Sequence, residues 1–183
     1  MNKKRQLLID TALSLFYKKG INTIGINEIL QVSGVAKNTL YNHFSSKEEL
    51  ILAALEQRHQ LFMEWLTTKI RAVNSNKELI KCLFDALQSW FNNTDPVLGN
   101  FRGCFFINSS AEFSDKNGKI SLFCLQHKEQ IRHLIEQHLI EENPLLLDAI
   151  CIMKEGAISA AYVSNDLTVT NKSITILNQL STN

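Results

Sequence analysis

The chain has 183 residues, 45% of them hydrophobic, which is enough to bury the core of one or two domains. Seven glycines and two prolines favour a mostly helical protein, and no apolar run approaches the roughly 18 residues of a membrane span. The apolar run after the basic start is too short for a secretory signal, so we expect a cytoplasmic protein. Four widely spaced cysteines fit reduced thiols better than a disulfide framework.

The net charge of +1 is divided unevenly along the chain. Residues 1–50 carry seven Lys or Arg against four Asp or Glu, a net charge of +3, and the remainder carries −2. A basic head on a slightly acidic body suits a head that contacts phosphate and a body that does not.

The first predicted helix covers residues 3–19. Its buried stripe contains Ala12 and Phe16, and Gly20 closes it as a C-cap. The basic residues 3–5 at its start can reach phosphate or the minor groove, and a solvated terminus is an equal alternative.

Residues 26–44 predict two short helices joined by a tight turn. Gly34 stands where the chain must reverse with a left-handed backbone, and Leu40 and Phe44 lie four apart on an inner face. The hydrogen-bonding side chains left outside are short enough to reach base edges in a major groove: Lys37, Asn38, Thr39, Asn42 and His43. This pattern is typical of a helix-turn-helix, although a helical hairpin with a solvated outer face has the same spacing.

Residues 7–55 resemble the N-terminal DNA-binding domain of the TetR family of bacterial transcriptional regulators. The resemblance rests on the pattern A-x-x-L-F at residues 12–16, Lys-Gly at 19–20, Gly-Val at 34–35, Thr-Leu-Tyr at 39–41, His-Phe at 43–44 and Ser-Lys-Glu-Glu-Leu at 46–50. Two positions depart from the family pattern, since Gly25 and Ala36 replace residues that cap helices through a hydroxyl.

The resemblance implies an all-α protein of about nine helices with two domains. A three-helix, helix-turn-helix DNA-binding domain would occupy residues 1–46, and a helical regulatory and dimerisation domain would occupy residues 47–183. For base reading we predict Lys37, Asn38 and Asn42. For phosphate contacts we predict the matching family positions Thr39, Tyr41, His43 and Lys47.

After residue 46 the sequence predicts a long helix to about residue 73, and then helices over residues 77–93 and about 101–113. On the last of these, apolar and polar side chains share one face, which is typical of a pocket wall. The predicted ligand-binding residues are Trp65, Trp90, Phe101, Cys104, Phe105, Asn108 and Glu112. The alternative is a core helix in which Asn108 and Glu112 pair with neighbouring backbone ends.

Three further helices are predicted over about residues 119–141, 144–164 and 169–180. Small residues recur on one stripe of the second of these, which favours close approach of another helix. The resemblance implies that the last two helices pair with those of a second copy across a twofold axis. An intramolecular hairpin is the alternative.

Other chemistry is not supported by the sequence. Cys124, His127, His133 and His138 lie on one predicted helix and spread too far along its axis to hold one metal ion. No phosphate loop, dinucleotide fingerprint or catalytic triad is present, so we predict no cofactor, no metal and no enzyme activity. Cys104, which we place just inside a helix N-terminus beside Arg102, favours a second hypothesis, a sensor of electrophiles or oxidants.

The sequence therefore predicts a cytoplasmic, bacterial DNA-binding repressor that associates with the nucleoid when it is bound. It would bind a palindromic operator as a homodimer and be released by an unidentified small effector, or alternatively by modification of Cys104.

Overall fold

The computed structural model describes residues 2–140 and 142–181 of the chain. These residues form nine α-helices and no strand, which confirms the predicted all-α class. The helices are α1 (Lys3–Lys19), α2 (Ile26–Ser33), α3 (Lys37–Tyr41), α4 (Lys47–Ile70), α5 (Asn76–Phe91), α6 (Phe105–Glu112), α7 (Lys119–Glu136), α8 (Pro144–Ser164) and α9 (Val169–Leu180).

The predicted bounds of α1, α8 and α9 are confirmed, and for α1 and α8 local capping explains why. Gly20 closes α1 at φ 88°, and its N–H donates to the carbonyl of Phe16. The side chain of Asn143 accepts from the N–H of Leu146, and Pro144 opens α8 in the first helical position.

Four helices differ from their predicted bounds. The long helix α4 ends at Ile70 rather than near residue 73, and α5 spans residues 76–91 rather than 77–93. The largest differences are in α6, which starts at residue 105 rather than 101, and in α7, which ends at residue 136 rather than 141.

A glycine contact explains the late start of α6. Gly103 has φ 78°, and a Cβ built on it would lie 3.2 Å from Cγ of the Tyr162 ring. At this positive φ the backbone of residue 103 lies outside the right-handed helical region, and the absence of a Cβ leaves room for the Tyr162 ring of α8. This is information that the local sequence pattern does not contain.

The chain forms two compact units, and neither is continuous in sequence. The first unit contains Met1–Gln60 and Phe105–His127, and the second contains Leu61–Cys104 and Lys128–Asn183. The helices α4 and α7 each contribute residues to both units. The predicted functional boundary after residue 46 stays a prediction.

In the first unit, α1 packs against α2 and α3. Fully buried apolar side chains hold these three helices together, and they include Leu8, Ala12, Ile29 and Leu40. In the second unit, α5, α8 and α9 pack against one another around Leu83, Phe84, Ile150 and Leu177. Burial of such side chains contributes about 1.5–3 kcal/mol each to stability, before conformational entropy is counted.

No helix among the described residues combines the length and the apolar character that a bilayer crossing needs.

Candidate nucleic-acid interface

The turn of the helix-turn-helix follows from two residues. Gly34 adopts the left-handed region at φ 67° and ψ 11°, and its N–H donates to the carbonyl of Leu30 at 2.9 Å. Val35 is buried directly after it, and its N–H donates to Ser33 Oγ at 3.3 Å. The predicted reversal at Gly34 is confirmed, and it brings α3 onto the core with Leu40 inward.

The side chains predicted to read bases lie on the solvent side of α3. Lys37, Asn38 and Asn42 are exposed, as is Tyr41 with 46% of its surface accessible. Thr39 is half-buried. A helix with apolar residues inward and hydrogen-bonding residues outward has the arrangement that a recognition helix presents to a major groove.

The helix itself is shorter than the sequence pattern implied. α3 ends at Tyr41, so His43 and Phe44 lie in the segment after the helix rather than in its last turn. Phe44 is nevertheless buried, and half-buried His43 packs edge-on against it at 6.5 Å between ring centroids. The first residues of α2 and α3 lack a side-chain cap, as expected from the two departures from the family pattern. Neither Gly25 nor Ala36, the N-cap residues, makes a side-chain hydrogen bond to its helix.

Lys47, predicted to contact phosphate, has a partner inside the protein. Its Nζ donates to the carbonyl of Ile21 at 2.8 Å and lies 5.9 Å from the ring centroid of Phe16. Burial lowers the pKa of Lys47, and the nearby carboxylate of Glu112 opposes this shift. The phosphate contact stays a prediction, and it would compete with the bond to Ile21.

The basic start of α1 divides into two parts. Lys3 and Lys4 are exposed, whereas the guanidinium of Arg5 lies 5.1 Å from the ring centroid of Phe44. Such cation–π contact holds Arg5 against the end of the helix-turn-helix. The phosphate contact predicted for residues 3–5 stays a prediction.

Four of the predicted ligand-binding residues lie in the second unit. Trp65, Trp90 and Phe101 belong to one aromatic cluster, with ring centroids 6.4 Å apart for the two tryptophans and 4.9 Å apart for Trp90 and Phe101. Trp65 Nε1 donates at 2.8 Å to Asp95, a buried carboxylate that the sequence pattern had marked only as part of a loop.

The sequence analysis placed Cys104 inside a helix, and this prediction is wrong. Cys104 lies directly before α6. Its charged neighbour is Lys128, whose Nζ lies 3.3 Å from Cys104 Sγ and also donates to both carboxylate oxygens of Glu155. Lys154 pairs with the same carboxylate. Although burial opposes it, the pKa of Glu155 is lowered by these two ammonium groups, and Cys104 thus stands at the edge of a partly buried charge cluster.

The other three predicted ligand residues lie on α6 in the first unit. Phe105 packs edge-on against Tyr17 at 5.8 Å between centroids, and Asn108 is half-buried. Glu112 accepts hydrogen bonds from the backbone N–H groups of Ile21 at 2.8 Å and Asn22 at 2.6 Å. This is the backbone-pairing alternative that the sequence left open for Glu112. Because α6 starts at residue 105, Phe101 and Cys104 do not share its face.

An open pocket of about 290 Å³ lies in the second unit, where α7 ends and α8 begins. It is lined by Arg132, Glu136, Leu139, Glu142, Asn143, Pro144 and Leu147. None of the predicted ligand-binding residues borders it.

Within the described residues, no three or more of His, Cys, Asp and Glu gather as metal ligands would. His127, which the sequence grouped with other residues of α7, pairs instead with His59 of α4, with 2.9 Å between the two Nδ1 atoms. Phe106 stacks on the His127 ring at 3.5 Å between centroids. The pairing crosses 68 positions of sequence and has no local signal.

The buried turn and the exposed polar face of α3 form a helix-turn-helix. Residues 8–54 match the family model described as bacterial regulatory proteins, tetR family. The uncharacterized HTH-type transcriptional regulator YxaF of Bacillus subtilis is 26% identical over 168 residues, which cover 90% of this chain and 87% of that protein. Two other regulators, one of them named an activator, match over shorter stretches. The matched part of the chain spans only 19% of the length of one and 39% of the length of the other.

Solved structures share the fold over almost the whole chain. A TetR-family transcriptional regulator from Streptomyces coelicolor has a TM-score of 0.84 at 23% identity, covering 97% of this chain and 93% of that one. The reduced form of NemR from Escherichia coli has a TM-score of 0.78 at 20% identity, covering 97% and 96%. NemR, named a transcriptional repressor, is 27% identical over 61% of this chain and 54% of its own length.

The sequence match to the tetR family of bacterial regulatory proteins covers residues 8–54, and the fold over almost the whole chain is shared with solved structures of TetR-family regulators.

Proposed function

We propose that the protein is a repressor that binds a near-palindromic operator as a homodimer and leaves it when a small effector binds. The observation that carries the proposal is the outer face of α3. There Lys37, Asn38 and Asn42 are exposed, while Leu40 anchors the helix from the inside. Exposed lysine and asparagine side chains match the acceptor and donor edges of guanine and adenine.

A second copy of the chain is the expected partner of the second unit. Large apolar side chains stand exposed on α8 and α9, with accessible fractions of 72% for Ile152, 78% for Val163 and 49% for Ile176. Exposed apolar stripes of this kind favour a self-complementary interface, and paired half-sites in DNA need two copies of the reading head. Leu177 of α9 is fully buried within the protomer and is therefore not available to this interface.

The effector is expected to bind in the second unit beside the aromatic cluster of Trp65, Trp90 and Phe101. Aromatic walls with few polar groups suit a mostly apolar small molecule. Such a molecule releases DNA only if it binds the released conformation better than the operator-bound one. Quenching of tryptophan fluorescence by candidate ligands, followed by competition with DNA, tests this part.

The test of the DNA-binding role is selection of duplexes from a random-sequence DNA pool with the purified protein. We expect enrichment of a sequence with two related half-sites, bound with a steep dependence on salt. Asn42→Ala should change the preferred base at one position in each half-site, whereas Asn171→Ala, an exposed asparagine on α9, should leave preference and affinity unchanged. Enrichment of no sequence by the wild-type protein would refute the proposal.

One observation favours a second candidate function, a repressor released by electrophiles. The ammonium of Lys128 lies 3.3 Å from Cys104 Sγ, so a cation stands directly beside the sulfur atom that an electrophile would modify. Iodoacetamide should then release wild-type protein from the selected duplex and leave a Cys104→Ser variant bound. Full alkylation of Cys104 without loss of DNA binding would exclude this candidate.

A further inference from the structure

The turn between α1 and α2 carries contacts that no part of the DNA-reading face explains. This turn, residues 20–25, leads into the first helix of the helix-turn-helix. Both backbone polar groups of Ile21 are bound by charged side chains from distant helices. Its N–H donates to Glu112 Oε1 at 2.8 Å, and its carbonyl accepts from Lys47 Nζ at 2.8 Å.

The contacts between the turn and α6 are reciprocal. Besides Ile21, the N–H of Asn22 donates to Glu112 Oε2 at 2.6 Å. In return, Asn22 Nδ2 donates at 3.0 Å to the backbone carbonyl of Glu112, which is the last residue of α6. The end of a helix leaves carbonyl groups without intrahelical partners, so the turn and α6 satisfy each other's backbone.

The close approach depends on Gly20. A Cβ at this position would lie 3.2 Å from Glu112 Oε1, and its φ of 88° disfavours any side chain. Glycine thus allows the carboxylate to reach the backbone of the turn. Hydrogen bonds to an ionised carboxylate or ammonium are about twice as strong as neutral ones, so these contacts fix the turn firmly.

We propose that Glu112 and Lys47 form a clamp on Ile21 that holds the helix-turn-helix in its DNA-binding arrangement. Lys47 is the first residue of α4, which follows α3, and the clamped turn precedes α2. The clamp therefore fixes the recognition segment at both of its ends. Glu112 acts as a positioning residue, and displacement of α6 would loosen the DNA-reading head without any change in the reading face. The DNA readout of this inference rests on the proposed function.

The direction in which Glu112→Gln changes the affinity for DNA separates this positioning role from a purely electrostatic effect. Glu112→Gln removes a negative charge, and by charge alone it should tighten binding to DNA. Because the amide cannot accept both N–H bonds, the clamp predicts the opposite, about tenfold weaker binding to the selected duplex. The slope of affinity against salt should stay unchanged, since no phosphate contact is lost. Glu56→Gln, an exposed carboxylate on α4, is the matched control and should not weaken binding.

A double-mutant cycle with Lys47→Met adds a second criterion. Because Lys47 is also a predicted phosphate contact, the cycle is measured without DNA. If both side chains act through Ile21, the loss of amide protection at Ile21 and Asn22 in the double variant should be smaller than the two single losses combined. Amide hydrogen exchange in the free protein should also accelerate at Ile21 and Asn22 in Glu112→Gln while the amides of α4 keep their protection.

Binding by Glu112→Gln that equals or exceeds the wild type would overturn the clamp, as would strictly additive losses in the cycle. Should Glu112→Gln fail to fold, Asn22→Ala removes only the exposed half of the contact. That variant should bind the duplex a few-fold more weakly at an unchanged salt slope, and unaltered affinity would overturn the clamp. If the wild-type protein selects no duplex, the proposed function fails, and the exchange rates at Ile21 and Asn22 still decide whether the clamp exists.

Discussion

The helix α3 starts after a residue whose side chain cannot cap it, and this offers a direct test of the local structure. Ala36 holds the N-cap position with extended angles of φ −66° and ψ 145°. It is exposed, so an added oxygen enters solvent rather than the core. We therefore expect Ala36→Ser to place a hydroxyl within reach of the backbone N–H of Asn38 or Thr39.

The expected gain follows from measured costs of the reverse change. Replacing a serine cap by alanine costs about 1 kcal/mol, so Ala36→Ser should raise the free energy of unfolding by about that amount. For a protein of this size, 1 kcal/mol raises the midpoint of thermal unfolding by roughly 2–4 °C. Far-UV circular dichroism during heating, together with urea unfolding, measures both quantities.

A second serine provides the control, because the same change has the opposite sign inside a helix. Ala53 lies within α4, where serine has a lower helix propensity, and Ala53→Ser should cost about 0.5 kcal/mol. If Ala36→Ser leaves stability unchanged or lowers it as Ala53→Ser does, the assignment of residue 36 as an unfilled N-cap is wrong.

Three further outcomes are expected. The Asp95 side chain is 1% exposed and accepts four hydrogen bonds or ion-pair contacts. Asp95→Asn should therefore lower the free energy of unfolding, measured with urea, by about 2 kcal/mol. Asp85→Asn, at an exposed carboxylate, should change this free energy little. The hydrogen-bond donors around Asp166 lower the pKa of its carboxyl group from 3.8 to about 2. The contribution of Asp166 to stability should therefore be complete above pH about 4 and should disappear as the pH falls through 2. The NMR chemical shift of the Asp166 carboxyl group follows this titration. Ile152→Glu should convert the proposed dimer to monomer in analytical ultracentrifugation, and Leu125→Glu, which is also exposed and apolar but lies on α7, should not.

The parts of the fold that follow local rules were predictable from the sequence. Gly20 and Pro144 mark helix ends through their own backbone chemistry, and α1 and α8 have the predicted bounds. The reversal at Gly34 is likewise local, which is why the recognition segment could be placed correctly. The outward residues of α3 follow from the same periodicity.

The parts that failed depend on residues far apart in the chain. The start of α6 was misplaced because Gly103 meets Tyr162, and no pattern near residue 103 reports this contact. Glu112 accepts a hydrogen bond from a backbone N–H 91 positions away. The sequence could therefore offer backbone pairing of Glu112 only as an alternative to ligand binding. The position of Lys128 beside Cys104 was missed for the same reason, since Lys128 lies 24 positions further along the chain.

The division of the chain into units has a consequence for engineering. Since the first unit takes Phe105–His127 from the middle of the sequence, a fragment cut after residue 46 or residue 60 would lack α6 and the first half of α7. Either fragment would leave Ile21 without Glu112, and the longer one would also leave His59 without His127. Chimaeras that graft this reading head onto another sensor should therefore carry both segments, and a crossover at a single point in α4 should yield poorly folded protein.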